Sequence, residues 1–201
     1  PPRSTLFPYT TLFRSDLFSD AFDKGFELRI ASAYRSFYKQ FKIFDDKFKG
    51  KRPVLDANEN PMDISSLSDE QKVLEIIRFS SIPGFSRHHF GTDFDIYAVN
   101  LLPEGKQLEL TAREYQKGNY FYKLGQYLSQ NLNKFGFKRP FNGKGTIAFE
   151  PWHISFSKKA DECIDAFPVD FALEYLISFN EPWVKYAVSY AKEHYKELLA
   201  K

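Results

Sequence analysis

Two short segments of the 201-residue chain hold three of its four histidines. The first segment, Pro83–Asp95, reads PGFSRHHFGTDFD, and the second, Glu150–His153, reads EPWH. In the first, His88 precedes the final aspartate by seven positions, and in the second the glutamate precedes the histidine by three. Neutral imidazole nitrogens and carboxylate oxygens are ligands that zinc accepts in tetrahedral geometry. These segments therefore hold the residue types that a metal site needs.

We interpret His88, Asp95 and His153 as three ligands of one zinc ion, and Glu150 as the base that acts beside it. A catalytic zinc site keeps three protein ligands and leaves the fourth position to water. The metal lowers the pKa of that water and polarises a substrate carbonyl. A carboxylate within hydrogen-bond reach can take the water's proton and later deliver it to the leaving amine. The rest of the chain then serves to bring the two segments together.

The motif S-x-H-x-x-G-x-x-x-D followed by E-x-W-H resembles the M15 peptidase family. These are the zinc D-alanyl-D-alanine carboxypeptidases and dipeptidases of the bacterial cell wall, of the VanY and LdcB types. The residues that carry the resemblance are Ser86, His88, Gly91, Asp95, Glu150, Trp152 and His153. A third family motif, S-x-Y-R-S with a nearby glutamine, is matched by Ser32, Tyr34, Arg35, Ser36, Phe37 and Gln40. The motifs follow the family's order, and together they span residues 25–156.

The resemblance implies a D,D-carboxypeptidase that removes the C-terminal D-alanine from peptidoglycan stem peptides. On this interpretation, Arg35 donates two bonds to the free carboxylate of the leaving residue, with help from Ser86. Gln40 follows one helical turn later and is expected to contact the substrate's peptide backbone. An internal peptide has no terminal carboxylate, so such a clamp favours a carboxypeptidase over an endopeptidase.

Three other hypotheses remain open from the sequence. The enzyme could be an L,D-carboxypeptidase acting on tetrapeptides or a D,D-dipeptidase of the same family. It could also be a non-catalytic zinc-binding module, although Glu150 argues against this because a structural site needs no base. A domain whose histidines are only core residues would require the spacing of all three motifs to be accidental.

Three neighbours of the proposed ligands also need an interpretation. His89 competes with His88 as a ligand, but the spacing to Asp95 and the family pattern favour His88. Asp93 lies two positions before Asp95, so a strand would turn both side chains to the same side. Asp93 either orients a ligand histidine or is a hydrogen-bonded structural carboxylate. Arg87 is expected to face solvent or the substrate entrance.

The composition limits the class of protein. A hydrophobic content of 43% over 201 residues suits one domain with a sizeable core. A net charge of +2, without a basic run, gives no indication of nucleic-acid binding. Cys163 is the only cysteine, which excludes an internal disulfide, and no apolar run reaches transmembrane length. We expect a monomer, and the resemblance implies a periplasmic or cell-envelope location.

The first 15 residues differ from the rest of the chain. Thr5–Ser15 (TLFPYTTLFRS) looks like the translation of a common sequencing adapter, and it has neither an amphipathic period nor a signal-peptide layout. We therefore expect residues 1–15 to be a non-native, poorly packed segment, and residues 16–201 to form a single peptidase domain with a C-terminal helical extension. The absence of a visible signal peptide then carries no information about location.

By resemblance, the fold class is α+β, with a small antiparallel sheet that carries the site and helices packed on it. Hydrophobic periodicity and turn residues predict the elements. Predicted helices cover Asp16–Lys24, Phe37–Lys49, Ser68–Phe79, Asn119–Phe135, Pro168–Asn180 and Glu181–Lys201; predicted strands cover Phe26–Ala33, Thr146–Phe149 and Trp152–Phe156, and a strand through Asp93 would turn Phe94, Ile96 and Ala98 into the core. Gly50–Leu67 is predicted to be a loop. Because residues three apart on a strand face opposite sides, Glu150 and His153 can share a site only if the chain bends at Pro151.

Overall fold

A four-stranded antiparallel sheet lies at the centre of the fold. The structure is a computed structural model that describes the backbone of residues 8–200 and the side chains of residues 16–200. The strands are β1 (Leu28–Ser32), β4 (Asp93–Ala98), β6 (His153–Phe156) and β5 (Phe137–Lys138), in that spatial order. A second pair of antiparallel strands, β2 (Val54–Leu55) and β3 (Pro61–Met62), forms a hairpin outside the sheet.

Seven helices surround the sheet in the described part of the chain. They are α1 (Pro8–Asp23), α2 (Phe37–Phe48), α3 (Asp69–Ile77), α4 (Tyr122–Asn131), α5 (Ser157–Asp165), α6 (Val169–Ile177) and α7 (Val184–Leu198). Mixed helices with a small antiparallel sheet confirm the expected α+β fold. No helix within residues 8–200 combines the length and apolarity that crossing a membrane requires.

The central strand β4 separates two environments through its alternation of side chains. Phe94, Ile96 and Ala98 are buried in an apolar cluster that includes residues of α1 and α4, as predicted. Asp93 and Asp95 are also buried, but they point away from that cluster. One face of the sheet is therefore core, and the other is available for polar chemistry.

A second apolar cluster joins α2, α3, α6 and α7. Its largest fully buried side chain is Trp183, which contacts the rings of Phe41 and Phe44 from α2. The indole nitrogen of Trp183 donates a hydrogen bond to Asp45 at 3.1 Å. The C-terminal helices are thus packed into the domain, and α2 is held against them at a fixed position.

Local capping sets where two important helices begin. Ser68 caps α3, and Gln71 completes a reciprocal capping box, as the sequence predicts. Ser36 caps α2 by accepting a hydrogen bond from the backbone N–H of Lys39 at 3.2 Å. Because α2 begins at Phe37, this cap also holds the backbone next to Arg35, from which the arginine side chain projects.

Several predicted boundaries are wrong, and each has a local reason. Residues 146–149 form no strand; the backbone N–H of Ala148 instead bonds to the Arg78 carbonyl. Within the predicted Gly50–Leu67 loop lies the β2–β3 hairpin, whose two-residue strands are too short to show a period. Helix α5 was not predicted, and α1 begins at Pro8, inside the segment expected to be non-native. The predicted poor packing of residues 1–15 concerns side chains that lie outside the described residues.

Candidate metal centre

Sheet register places two of the three predicted ligands opposite each other. Asp95 on β4 pairs with His153 on β6 in antiparallel register, which brings their side chains close on one face. His88 lies in a short helical turn just before β4, and its ring centroid is 4.9 Å from that of His153. Each of the three residues offers a ligand atom, and these atoms all lie within 4.8 Å of one another. The distant segments therefore converge on one point.

Hydrogen bonds to the outer nitrogens fix which nitrogen of each histidine faces this point. His88 Nδ1 lies 2.8 Å from the carbonyl oxygen of Ala33, which can only accept, so Nδ1 carries the proton. His153 Nε2 lies 2.8 Å from Asp93 Oδ1, so that nitrogen is the donor in the second ring. When the two rings are neutral, the unprotonated nitrogens are then His88 Nε2 and His153 Nδ1, and both face inward. A donated hydrogen bond of this kind fixes the ring and raises its basicity as a ligand.

Asp95 completes a donor set that fits a cation. Its Oδ2 lies 3.3 Å from His88 Nε2, and its Oδ1 lies 3.2 Å from His153 Nδ1. Oδ1 is buried, and no group of the described residues donates it a hydrogen bond of good geometry. With neutral rings, a lone pair faces a carboxylate oxygen at each contact, which is unfavourable unless positive charge lies between them. Two imidazoles and one carboxylate with room for a fourth ligand are the set that zinc takes in catalytic sites.

The pKa shifts have the same electrostatic origin. Burial disfavours the charged form of His153, but the carboxylates of Asp93, Asp95 and Glu150 outweigh it and hold the pKa of His153 well above its usual value. Burial likewise raises the pKa of Asp95, but His88 and His153 reverse this and leave it far below the usual range. The cluster therefore attracts a positive charge strongly, whether the charge is a proton or a metal ion.

Asp93 orients His153, which decides between the two interpretations of this residue. It is fully buried, and besides His153 it accepts hydrogen bonds from Thr92 Oγ1 at 2.7 Å and Ser155 Oγ at 3.1 Å. Burial alone would raise the pKa of Asp93, but the His153 hydrogen bond and the charge of Arg87 lower it to about 2. Asp93 is therefore an ionised acceptor behind the histidine.

The prediction that Arg87 faces solvent or the entrance is wrong. Its side chain is fully buried, with Nε 2.7 Å from Asp93 Oδ1. Its two terminal nitrogens donate to Ser155 Oγ and to the carbonyl oxygen of Leu199, each at 2.6 Å. Its charge is matched by that of Asp93, which is why it tolerates burial. In the sequence, the signal for this ion pair was Asp93, a carboxylate six positions after Arg87.

His89 points away from the metal site, so the structure brings His88 and not His89 to the cluster. Its Nδ1 donates to the backbone carbonyl of Arg35 at 2.5 Å, and its Nε2 accepts from the backbone N–H of Gly84 at 3.1 Å. Burial lowers the pKa of His89, and this favours the neutral ring that accepting from Gly84 requires. His89 thus holds the backbone that carries Arg35.

Glu150 reaches the site through the predicted bend. A turn at Pro151 and Trp152 lets the backbone N–H of His153 donate to the Glu150 carbonyl at 3.2 Å. The bend brings Glu150 Oε2 to 3.4 Å from His153 Nδ1. Trp152 is buried against Tyr115, which holds the turn in place. The carboxylate therefore lies beside the three ligands without belonging to the same strand face.

Arg35 also lines the site, and it is held on two sides. Its Nη1 donates to Gln40 Oε1 at 2.7 Å, and its Nη2 donates to Ser32 Oγ at 2.9 Å and lies 3.8 Å from Asp95 Oδ2. Burial lowers the pKa of the guanidinium, and Asp95 and Glu150 oppose this shift. Its side chain keeps 17% exposure, so one edge remains accessible.

Gln40 does not have the geometry of a substrate contact, which corrects the prediction made for it. It is completely buried; its oxygen accepts from Arg35, and its nitrogen donates to the Ser81 carbonyl at 2.6 Å. Both ends of the amide are therefore occupied by protein groups. Gln40 positions Arg35 instead. Ser86, by contrast, is among the residues that line the cavity, and its contact with substrate stays a prediction.

These side chains meet in one cavity of about 340 Å³. Its walls include Arg35, Ser86 and Glu150, with Phe141 and Leu110 as apolar surface. Leu110 takes a left-handed backbone conformation at φ +54°, which a non-glycine residue adopts at a cost. The cavity is large enough for part of a peptide, and His88, Asp95 and His153 are among the residues that line it.

A His, Asp, His cluster beside a glutamate, on this sheet, defines a mononuclear metallopeptidase type of site. Residues 6–159 of the chain match the family VanY, D-alanyl-D-alanine carboxypeptidase. The match covers more than half of the chain, and the chain belongs to this family. The matched region begins at residue 6, within the segment 1–15 that is predicted from the sequence to be non-native.

Two curated relatives are similar to parts of the chain. An uncharacterized protein of Haemophilus influenzae is 43% identical over 83 residues, 40% of this chain and 63% of that protein. A D-alanyl-D-alanine carboxypeptidase of Enterococcus faecalis is 26% identical over 151 residues, 72% of this chain and 45% of that protein. The chain thus spans less than two thirds of the length of these relatives.

Two solved structures share the fold. VanYB in complex with D-alanine-D-alanine has a TM-score of 0.56 and 21% identity, covering 88% of this chain and 84% of that one. A zinc complex of the vancomycin-resistance D,D-pentapeptidase VanY has a TM-score of 0.55 and 22% identity, covering 82% of both chains.

Replacing Asp93 tests whether it orients the metal ligand. Asp93→Asn weakens the acceptor behind His153, and we expect zinc affinity to fall about 10- to 100-fold. Competition with a chromophoric chelator measures this change. Asp161→Asn, which removes an exposed ion pair with Lys138, is the matched control and should bind zinc normally. Unchanged zinc affinity in a variant that circular dichroism shows to be folded would contradict the role given to Asp93.

Proposed function

We propose that this protein is a zinc-dependent D,D-carboxypeptidase that removes the C-terminal D-alanine from peptidoglycan stem peptides. The observation that carries the proposal is the convergence of three candidate ligand residues, the Glu150 carboxylate and the partly exposed Arg35 in one cavity. His88, Asp95 and His153 would hold the zinc. The family description and the named Enterococcus faecalis relative support the same substrate class.

Glu150 is the proposed general base and acid. Zinc in this site would supply a water of lowered pKa and polarise the scissile carbonyl. Glu150 accepts the proton of the attacking water and then delivers it to the departing amine. Its position 3.4 Å from His153 Nδ1 supports this role, because it places the carboxylate beside the ligand set.

Arg35 is the proposed clamp for the carboxylate of the leaving residue. Ser32 and Gln40 hold two of its nitrogens, so the guanidinium is oriented before substrate arrives. Ser86 adds a polar group on the same cavity wall. A positively charged anchor at this depth selects peptides that end close to the metal, which supports exopeptidase cleavage.

The finer choices belong to the proposal as well. Cleavage of a single D-alanine is preferred here over L,D-carboxypeptidase or D,D-dipeptidase action, in keeping with the VanY family match. We further propose that residues 16–201 form one monomeric peptidase domain, with residues 1–15 as a non-native addition, and that it acts in the periplasm or cell envelope.

Defined muropeptides test the reaction directly. We expect the zinc-loaded protein to convert a pentapeptide ending in D-Ala-D-Ala to a tetrapeptide and to release single D-alanine. Mass spectrometry of the products measures this conversion. Release of the D-Ala-D-Ala dipeptide, or cleavage of the tetrapeptide alone, would replace the D,D-carboxypeptidase assignment with one of the alternatives. The same digestion with chelator present is the control.

Glu150→Gln removes the base while preserving the size of the side chain. We expect turnover to fall at least 100-fold, the lower end of what a positioned general base contributes, while zinc content stays at one ion per chain. Steady-state kinetics and metal analysis measure the two quantities. Substantial activity in a variant with full zinc occupancy would show that another group takes the proton.

Arg35→Lys keeps the charge but loses the planar fork. We expect kcat/KM for a free-acid peptide to drop about 100-fold, because two charge-assisted hydrogen bonds are lost. The wild-type protein should act poorly on the same peptide with an amidated C-terminus, and the variant should lose much of this discrimination. Equal preference for acid over amide in both proteins would exclude Arg35 as the clamp.

A further inference from the structure

Besides Arg35 and the fully buried Arg87, two basic side chains line the cavity, and the proposed reaction does not use them. Lys47 and Arg52 line the same cavity as Arg35 and the metal ligands. Lys47 lies on the last turn of α2, one helical turn after Ile43, which also lines the cavity. Arg52 follows the end of α2, where its backbone N–H bonds to the Asp46 carbonyl at 3.1 Å. One face of α2 and the segment after it thus form a basic wall.

Lys47 has no close acidic partner. Among residues 16–200, no side chain or carbonyl forms a hydrogen bond or close ion pair with its ammonium. Burial lowers the pKa of Lys47 to about 8; the charge of Glu150 opposes this shift, and Arg52 and Arg35 add to it. An ammonium that is partly desolvated and unpaired is unfavourable in the protein alone.

The other charges at this wall do not neutralise it. Arg52 reaches Asp46 Oδ2 only at 3.7 Å, and its side chain is 52% exposed, so donors remain available. Asp46 is already bound by Lys42 at 2.9 Å. Glu109 also lines the cavity, but its carboxylate is half exposed and pairs with Lys106 at 3.5 Å. The wall is therefore open to an anion that arrives with the ligand.

We propose that Lys47 and Arg52 form a second anion subsite, which binds a free carboxylate that the peptide carries on the amino-terminal side of the scissile bond. This inference rests on the proposed function, in which Arg35 takes the terminal carboxylate and the leaving residue has no other. Any further carboxylate must then belong to the retained part of the substrate.

The dimensions of α2 agree with such a substrate. A helix of 12 residues is about 18 Å long, with Arg35 just before its start and Lys47 on its last turn. Long side chains on a helix lean toward its N-terminus, which brings the ammonium nearer the guanidinium. Two or three residues of extended peptide span about 7 to 10 Å, and the reach of the lysine and of the substrate's own side chain makes up the rest of the helix length. In a stem peptide, that distance reaches the second and third residues.

Two carboxylates of a stem peptide have the required chemistry. One is the extra carboxyl of diaminopimelate, which otherwise matches lysine at the third position. The other is the free α-carboxyl of a γ-linked glutamate at the second position, which amidation removes. Three otherwise identical D-Ala-D-Ala pentapeptides separate them: one with lysine and the amide, one with diaminopimelate and the amide, and one with lysine and the free α-carboxyl.

The experiment compares binding and turnover of these three peptides. Calorimetry with zinc-loaded Glu150→Gln gives the dissociation constants, and wild-type kinetics give KM and kcat. We expect one of the carboxylate-bearing peptides to bind about tenfold more tightly than the peptide without an internal carboxylate, mainly through KM. Lys47→Met, introduced both into the Glu150→Gln protein and into the wild type, should abolish that preference. Lys47→Glu should reverse it. Lys39→Met, an exposed lysine on the same helix outside the cavity, should retain it.

The outcomes separate this inference from the proposed function. Cleavage of the peptide without an internal carboxylate supports the carboxypeptidase whatever Lys47 does. Equal affinity for all three peptides, or a preference that survives Lys47→Met, overturns the second subsite and leaves the carboxypeptidase standing. If none of the three peptides is cleaved, both proposals fail together.

Discussion

The structure depends on one electrostatic constraint, the position of Asp95 between two inward-facing imidazole nitrogens. Its oxygens lie 3.3 Å from His88 Nε2 and 3.2 Å from His153 Nδ1. Because the outer nitrogens of both rings serve as donors elsewhere, the inner ones present lone pairs whenever the rings are neutral. Such an arrangement is favourable once a positive charge, either a proton or a metal ion, lies among these atoms. The sheet register and the turn before β4 therefore prepare a site for positive charge.

The groups that hold these rings come from widely separated parts of the chain. His88 is fixed by the carbonyl of Ala33 just after β1, and His153 is fixed by Asp93 on β4. Arg87 then links Asp93 to the Leu199 carbonyl after α7. The C-terminal helices are consequently more than a cover, because the Leu199 carbonyl that follows α7 supports a buried ion pair behind His153. A buried charge that lost this partner would be costly.

The sequence was sufficient for the site where chemistry and periodicity agreed. Alternation along β4 separates Phe94 and Ile96 from Asp95, so the polar face could be predicted, and the Glu150 to His153 spacing required the bend that is observed. The sequence could not predict where side chains from distant elements pair. Arg87 was expected outside, because its carboxylate acceptor is found only by folding β4 against it. Gln40 was expected in the cavity, because its two occupied ends depend on Arg35 and Ser81.

The distribution of charge along the cavity is compatible with acidic protein side chains and a substrate carboxylate in the same pocket. Near the metal, Asp95 and Glu150 would repel a peptide's terminal carboxylate, and Arg35, 3.8 Å from Asp95, offsets this at close range. Lys47 and Arg52 extend the positive wall away from the metal, where no acidic side chain of the cavity neutralises them closely. Because Ser32 and Gln40 already hold Arg35 in place, the guanidinium loses little freedom on binding. In the proposed reaction, the pocket would thus hold its cations in place before the anionic ligand enters, and Glu150 would remain available for the proton.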